Sequence, residues 1–172
     1  TGDVTKGFVA GGDSADSVTI VGAVQSSSVY GGTGNDSITL TLGANETDNT
    51  LIQTSAGNNV IKVTSTATVD TLTVNGGSGN DSLSITANTE DTLFTGGDEN
   101  DSILVTGTVS SSTLYGGTGD DRFEIDGAVS GTTIQTSKGK NSVDIDGAAT
   151  LTFNGGSGAD SLIITGKTKG TY

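Results

Sequence analysis

The apolar residues of this chain recur at intervals of about 20 residues. Eight segments align, and they begin at Gly11, Gly31, Thr54, Gly76, Gly96, Gly116, Thr136 and Gly155. When each segment is numbered from its first residue, positions 8 and 10 are apolar in all eight, as is the residue two places before each segment. Side chains two residues apart lie on one face of a strand. Each repeat is therefore predicted to contain one strand entering a turn and another leaving it.

A repeat of this size cannot bury its apolar face alone, but identical coils stacked about 4.8 Å apart bury a continuous column. The predicted fold is all-β: a parallel β-solenoid of about eight coils of about 20 residues each, resembling a β-roll. A second, looser turn follows each departing strand. It contributes small residues that are expected to point inward, namely Val24, Ala44, Val109 and Val129.

A longer period lies above the first. The segments at Gly31 and Gly116, at Thr54 and Thr136, and at Gly76 and Gly155 are pairwise similar, and GGDSAD at Gly11 matches GGDEND at Gly96. Residues 1–172 are therefore predicted to form a single array of two four-coil blocks, about 1–85 and 86–164. Because TGKTKGTY from Thr165 resembles TGDVTKGF from Thr1, we expect the array to be part of a longer one, or one link of a polymer.

Composition narrows the classes of function. The 172 residues include no histidine, cysteine or proline, and 20 acidic residues against 7 basic ones give a net charge of −13. A catalytic triad, a thiol nucleophile and an ordinary zinc site are excluded. The charge argues against nucleic acid and anionic lipid as partners, and no apolar run is long enough for membrane insertion. The lack of cysteine fits a bacterial secreted or surface protein. We therefore expect a non-enzymatic protein that is extracellular or at the cell surface.

The candidate chemistry lies in the glycine turns. Six of the eight read GGxxxD, and they end in Asp16, Asp36, Asp81, Asp101, Asp121 and Asp160. Stacked coils place these carboxylates about 5 Å apart, where two unit charges repel by roughly 1–3 kcal/mol at effective dielectric constants of 80 to 20. A hard dication would remove this repulsion. Turn carbonyls together with carboxylates are the ligand set of calcium rather than of zinc.

The segments GGTGNDSIT, GGSGNDSLS and GGTGDDRFE resemble the RTX nonapeptide GGxGxDxUx, a calcium-binding β-helix repeat. The resemblance implies Ca²⁺ held between adjacent turns. One turn would supply the carbonyls of positions 1 and 3, its neighbour those of positions 2 and 4, and both the aspartate of position 6. Besides those six aspartates, the implied ligands are Gly11, Gly12, Asp13, Gly31, Gly32, Thr33, Gly34, Gly76, Gly77, Ser78, Gly79, Gly96, Gly97, Asp98, Gly116, Gly117, Thr118 and Gly119.

This chain departs from the RTX pattern in its spacing and in two of its turns. The motif recurs about every 20 residues instead of every 9, so calcium is expected along a single edge. The turns at Thr54 and Thr136 lack the glycine pair and carry the neutral Asn59 and Asn141, which predicts that they are free of metal. Adjacent aspartate turns then predict three calcium sites, at Asp16/Asp36, Asp81/Asp101 and Asp101/Asp121. Ser14 and Glu99 replace glycine at position 4, so the sequence does not predict the backbone conformation of those two turns.

Three functions remain. The first is a calcium-stabilised structural module, such as an S-layer, a surface filament or an adhesin stalk, which continues or self-associates head to tail. The second is the calcium-dependent folding and secretion module of a type I-secreted enzyme or toxin. The third is ice binding, for which the row at positions 3 and 5 is irregular, because it includes Asp13, Ala15, Lys138 and Lys140.

Overall fold

The computed structural model describes residues 2–43 and 49–166, which contain strands and turns and no helix. Nothing in these ranges is therefore a helix of the length and apolarity needed to cross a membrane. In chain order the strands are β1 (Val4–Thr5), β2 (Phe8–Asp13), β3 (Ser17–Val21), β4 (Val24–Gln25), β5 (Ser28–Thr33), β6 (Ser37–Thr41), β7 (Thr50–Gln53), β8 (Val60–Thr64), β9 (Val69–Asp70), β10 (Leu72–Ser78), β11 (Ser82–Thr86), β12 (Thr89–Glu90), β13 (Leu93–Asp98), β14 (Ser102–Thr106), β15 (Val109–Ser110), β16 (Thr113–Thr118), β17 (Arg122–Asp126), β18 (Val129–Lys138), β19 (Ser142–Ile145), β20 (Ala149–Asn154) and β21 (Ser161–Ile164).

The strands stack in columns, and every pairing is parallel. The strands that enter the glycine turns form one column, β2-β5-β7-β10-β13-β16-β18, to which β20 adds through β18. The strands that leave the turns form another, from β3 to β21. Equivalent residues of successive coils pair directly, as in Val74 with Phe94 and Phe94 with Leu114. The predicted parallel β-solenoid of about eight coils is confirmed. We number the coils 1 to 8 by their glycine turns and keep the turn positions defined above.

The core is the column of inward-facing apolar side chains. The predicted apolar positions are buried in coils 2 to 7, and Phe94 and Phe123 are the largest side chains that are fully buried. Val9 and Val18 in coil 1, and Phe153, Leu162 and Ile164 in coil 8, are partly buried against this core. The core therefore runs along the axis of the rod and thins out in the first and last described coils.

The looser turn is more ordered than the sequence indicates. Short strands form a third column there, with β1 on β4 and with β9, β12, β15 and the start of β18 in one ladder. Val24, Val109 and Val129 are buried as expected, and Ala44 lies outside the described residues. Buried hydroxyl groups complete this corner: Thr92 Oγ1 donates to Ser112 Oγ at 2.9 Å. Because these strands have only two residues, no alternating pattern reveals them in the sequence.

The two glycines of each pair have different roles. Position 4 has positive φ in every coil, and Ser14 (φ 85) and Glu99 (φ 77) adopt this conformation without being glycine. Position 2 also has positive φ in all coils except coil 3. Position 1 has it in none, so its glycine is not needed for backbone conformation. Positive φ therefore accounts for the second glycine of the pair and not for the first.

The close stacking of the turns gives a test of the fold with a matched control. Gly97 and Gly12 occupy position 2 with similar φ, 130 and 123. A Cβ on Gly97 would collide with the carbonyl of Gly77 in the coil below, whereas a Cβ on Gly12 would meet nothing within 4 Å. Both Gly97→Ala and Gly12→Ala should cost about 1–3 kcal/mol in backbone strain. Gly97→Ala should lose a further ~1–3 kcal/mol for overpacking, measured by urea unfolding at a fixed calcium concentration. Equal losses in the two variants would contradict the stacking.

Candidate metal centre

The side chains of position 6 form a continuous inner ladder along one corner of the solenoid. In each coil the N–H of this residue donates to Oδ1 of the equivalent residue in the next coil. The donor and acceptor residues are Asp16 to Asp36 (2.9 Å), Asp36 to Asn59 (2.9 Å), Asn59 to Asp81 (2.8 Å), Asp81 to Asp101 (2.8 Å), Asp101 to Asp121 (3.0 Å), Asp121 to Asn141 (2.8 Å) and Asn141 to Asp160 (3.1 Å). The stacking places the aspartates in one column, as the repeat spacing predicts.

The second oxygen of these carboxylates has no partner. The side chains of Asp36, Asp81, Asp101 and Asp121 are at most 3% exposed. Their Oδ2 atoms, and that of Asp16, are buried without a hydrogen bond. A buried acceptor with no donor costs about 1–3 kcal/mol, and more when it is charged. Five buried acceptors in one row without hydrogen-bond donors are unusual, because buried polar atoms in folded proteins are almost always paired.

Each unpaired oxygen faces a small cradle left by the glycine of position 1. The point where Gly76 would carry a Cβ lies 2.6 Å from Oδ2 of Asp81 and 2.5 Å from the carbonyl oxygen of Gly96 in the next coil. The same point on Gly11 lies 2.7 Å from Oδ2 of Asp16 and 2.5 Å from the carbonyl oxygen of Gly31. The first glycine is therefore required for space. Two acceptor oxygens converge beside it with no donor between them.

The asparagine of coil 3 shows what surrounds the unpaired atom. Asn59 Nδ2 occupies the place that Oδ2 has in an aspartate, and it donates to the carbonyls of Gly57 at 2.8 Å and Gly76 at 3.4 Å. An amide nitrogen suits a position lined by carbonyl oxygens. A carboxylate oxygen in the same place faces only acceptors, so it needs either a proton or a cation.

Burial shifts the titration of the central aspartates. It raises the pKa of Asp101 to about 7, against the lowering effect of the hydrogen bond from the Asp81 N–H, and the charges of Asp81, Asp121 and Glu99 add to the increase. Burial also raises the pKa of Asp81 and of Asp121. These carboxylates hold protons more tightly in the folded chain than in the unfolded one, because desolvation disfavours their charged form.

The carbonyls implied as ligands fall into two groups. Those of position 3 already accept backbone hydrogen bonds between coils: Ser78 O from Gly57 N at 2.8 Å, and Asp98 O from Gly79 N at 3.3 Å. At position 2, Gly32 O accepts from Ser55 N at 3.0 Å. The carbonyls of position 1 also take part in the stacking where the position 2 residues pair, as Gly77 with Gly97, and in addition they face the cradles of the preceding coil. Positions 1 and 6 are thus brought together, and the carbonyls of positions 1, 2 and 3 alike offer a second lone pair beside their hydrogen bonds between coils.

An outer ladder that the sequence reading missed runs beside the inner one. Position 5 side chains accept hydrogen bonds from the N–H of the next coil, which is the opposite direction along the rod. The acceptor and donor residues are Asn35 and Asn58 (2.8 Å), Asn58 and Asn80 (2.9 Å), Asn80 and Asn100 (3.2 Å), Asn100 and Asp120 (2.7 Å), and Asp120 and Lys140 (2.7 Å). The run of Asn or Asp at position 5 is the signal that could have revealed it.

The donor set fits a hard cation. The atoms that line the cradles are carboxylate and carbonyl oxygens, which calcium prefers, and no nitrogen or sulfur ligand lies among them. Within residues 2–43 and 49–166, no three acidic side chains converge on one point. Any ion at this corner would therefore take most of its ligands from the backbone, with one carboxylate from each flanking coil.

The buried carboxylates predict a pH dependence of stability when cations are removed. In the unfolded chain these pKa values return to about 3.8. The folded state therefore binds more protons. This contribution to stability is present at low pH, decreases as the pH rises through the raised folded-state pKa values (about 7 for Asp101) and is lost above them. In EDTA the Tm of the protein should be higher at pH 5 than at pH 8.

Asp101→Asn should flatten this dependence, because the amide needs no proton. Asp98→Asn is the matched control, since it removes the same charge from an exposed position of the same turn and should keep the slope of the wild type. Identical pH profiles for the two variants would contradict the assignment of the pH effect to the inner column.

The chain matches no family model, no curated protein and no solved structure. The likeness of its turns to the RTX nonapeptide thus stands on the residues of the motif. The chemistry of the corner has to be argued from its own geometry: a parallel β-solenoid with a buried column of carboxylates, each of which has one oxygen without a partner.

Proposed function

We propose that this chain is a calcium-stabilised, extracellular structural module, in which Ca²⁺ bound between coils makes the solenoid a stiff rod. The observation that carries the proposal is the row of five buried Oδ2 atoms without partners. Calcium would supply the positive charge that these oxygens lack, and the second lone pairs of the position 1 carbonyls would serve as further ligands. The proposed sites lie at Asp16/Asp36, Asp81/Asp101 and Asp101/Asp121, with Asp101 shared by two of them.

Calcium fits this corner better than magnesium does. Ca²⁺ accepts six to eight oxygen ligands in flexible arrangements, whereas Mg²⁺ needs near-ideal octahedral geometry and usually retains several waters. The buried aspartates leave little room for retained water. Extracellular calcium modules bind with Kd values of about 10⁻⁴–10⁻³ M, a range in which the ion is available outside the cell and scarce inside it. Folding that depends on calcium would thus be favoured after export.

The ends of the described rod suit further stacking. Coil 4 pairs in register with coil 5, with Leu83 opposite Ile103 and Ile85 opposite Val105. Coil 8 is similar in sequence to coil 4, and coil 1 to coil 5. A coil like coil 1 placed after coil 8 would therefore repeat an interface that the chain already contains, with Asp160 opposite an aspartate like Asp16. Such a coil could come from a continuing chain or from a second copy.

The calcium corner does not distinguish a surface scaffold from a folding module within a secreted enzyme or toxin, because both would contain it. In the second case the activity would reside in a different part of a larger protein. The scaffold is our proposal because the four-coil block repeats and its interfaces can be continued. Rods that lengthen with calcium in electron micrographs support it, and a monomer whose size and shape are the same in calcium and in EDTA would contradict it.

Calcium should stabilise the fold at the expected sites. A ligand present at 100 times its Kd stabilises a folded state by about 2.7 kcal/mol per site. Thermal unfolding followed by circular dichroism should therefore show a higher Tm in calcium than in EDTA, with a smaller increase in magnesium.

Asp101→Asn should lose most of the calcium-dependent gain in Tm, because Asp101 belongs to two of the three sites. Asp98→Asn keeps its backbone carbonyl and should respond to calcium as the wild type does. The proposal fails if the wild-type Tm is the same in calcium and EDTA, or if the two variants respond equally.

A further inference from the structure

Coils 3 and 7 differ from all of the other six at positions 1, 2 and 6, and at position 2 both carry serine, Ser55 and Ser137, in place of glycine. Both carry threonine at position 1 and asparagine at position 6, as Thr54 with Asn59 and Thr136 with Asn141. The other six coils all carry glycine and aspartate there. Positions 1 and 6 thus change together, although they lie five residues apart in the chain. A physical link between the two side chains explains this, and the cradle provides it.

The threonine hydroxyl provides the donor that the cradle of a glycine coil lacks. Thr136 Oγ1 donates to the carbonyl of Gly155 at 2.9 Å, and Thr54 Oγ1 donates to the carbonyl of Gly76. These are the position 1 carbonyls of the following coils. In a glycine coil the same carbonyl, for example that of Gly96 beside Gly76, faces the space beside an unpaired Oδ2.

The asparagine amide provides the second donor. Asn59 Nδ2 donates to the carbonyl of Gly57 at 2.8 Å, and Asn141 Nδ2 donates to Oδ1 of Asp160 at 2.8 Å. Thr54, Asn59, Thr136 and Asn141 are at most 2% exposed. A glycine coil presents two inward acceptors with no donor. A threonine coil presents a hydroxyl donor and an amide donor.

Either change alone leaves the corner unsatisfied. A side chain at position 1 of a glycine coil would collide with the coil's own carboxylate, since the Cβ point of Gly96 lies against Oδ2 of Asp101. Asparagine without threonine would leave the carbonyl of the next coil without its hydroxyl donor, and in coil 3 only the longer 3.4 Å hydrogen bond from Asn59 Nδ2 to Gly76 would remain. The Thr54 methyl carbon also lies 2.8 Å from the point where Gly31 would carry a Cβ, so it fills part of the cradle of coil 2.

We propose that the Thr/Asn pair is a built-in replacement for the bound cation, so that the residues at positions 1 and 6 together decide whether a coil takes calcium. This inference rests on the proposed function. In coils 3 and 7, which lie four coils apart, the buried acceptors of the cradle are then hydrogen-bonded even in the absence of calcium. These two coils interrupt the column of negative charge and hold the rod together when calcium is low.

Exchanging the residues at positions 1 and 6 should transfer calcium binding from one type of coil to the other. The double variant Thr54→Gly/Asn59→Asp gives coil 3 the glycine of position 1 and the aspartate of position 6, and leaves Ser55 unchanged. It joins the aspartates into an unbroken column from Asp16 to Asp121. Equilibrium dialysis with radioactive calcium should show two more bound ions than in the wild type, at the new pairs with Asp36 and Asp81. In EDTA the Tm of this variant should fall below that of the wild type.

The reverse exchange uses coil 5. Gly96→Thr/Asp101→Asn should lose two bound ions and should have a higher Tm in EDTA than the wild type has. The single variants Asn59→Asp and Gly96→Thr are the controls: each should lower the Tm in EDTA, and Asn59→Asp should bind no additional calcium because Thr54 still occupies the corner.

The outcomes separate the two proposals. No calcium bound by the wild type would overturn the proposed function itself. Suppose that the wild type binds calcium but the number of ions is unchanged in both double variants. This result would overturn only the proposal that positions 1 and 6 decide whether a coil takes calcium. If the coil 3 variant does not fold in EDTA, its ions are counted in excess calcium, and the coil 5 variant, which should need less calcium, provides the independent test. A gain in coil 3 together with a loss in coil 5 is the expected result.

Discussion

The constraint on which the whole structure depends is the in-register parallel stacking of coils. Each residue lies against the equivalent residue of the coil above and the coil below, at the strand spacing of a sheet. For apolar positions this is favourable, because Val74, Phe94 and Leu114 build one column without a gap. For an acidic position it is unfavourable, because the repeat places carboxylate against carboxylate. A solenoid with aspartate at a buried position must therefore neutralise the whole column.

The corner satisfies half of this requirement with its own backbone. Oδ1 of each carboxylate from Asp36 onward accepts an N–H from the preceding coil, which orients the side chain and fixes where the other oxygen points. Oδ2 then lies beside a glycine with no donor near it, in a space too small for any other residue at position 1. Protons, calcium and the Thr/Asn pair are three ways of supplying what is missing. The proton dominates at low pH without metal, calcium binding is our proposal for the extracellular state, and coils 3 and 7 carry their own donors.

The sequence predicted the strands that enter and leave the glycine turns, the inward positions and the column of aspartates, because each follows from periodicity alone. It did not reveal which carboxylate oxygen is paired, since this depends on the direction of the ladder from Asp81 to Asp101, and both directions fit the same sequence. The role of Thr54 was missed for a similar reason: its hydroxyl acts on Gly76, which is distant in the chain and adjacent only after stacking. A sequence also does not distinguish a glycine needed for positive φ from one needed for space, so the reason for the first glycine came only from the structure.

A crystal structure of the protein grown in calcium, with anomalous scattering used to locate the ion, tests the central claim most directly. The account predicts anomalous peaks between the turns of Asp81 and Asp101 and between those of Asp101 and Asp121, each within bonding distance of an Oδ2 atom, and no peak beside Asn59. A well-ordered inner column in saturating calcium at neutral pH, with no peak beside any of these aspartates, would contradict it.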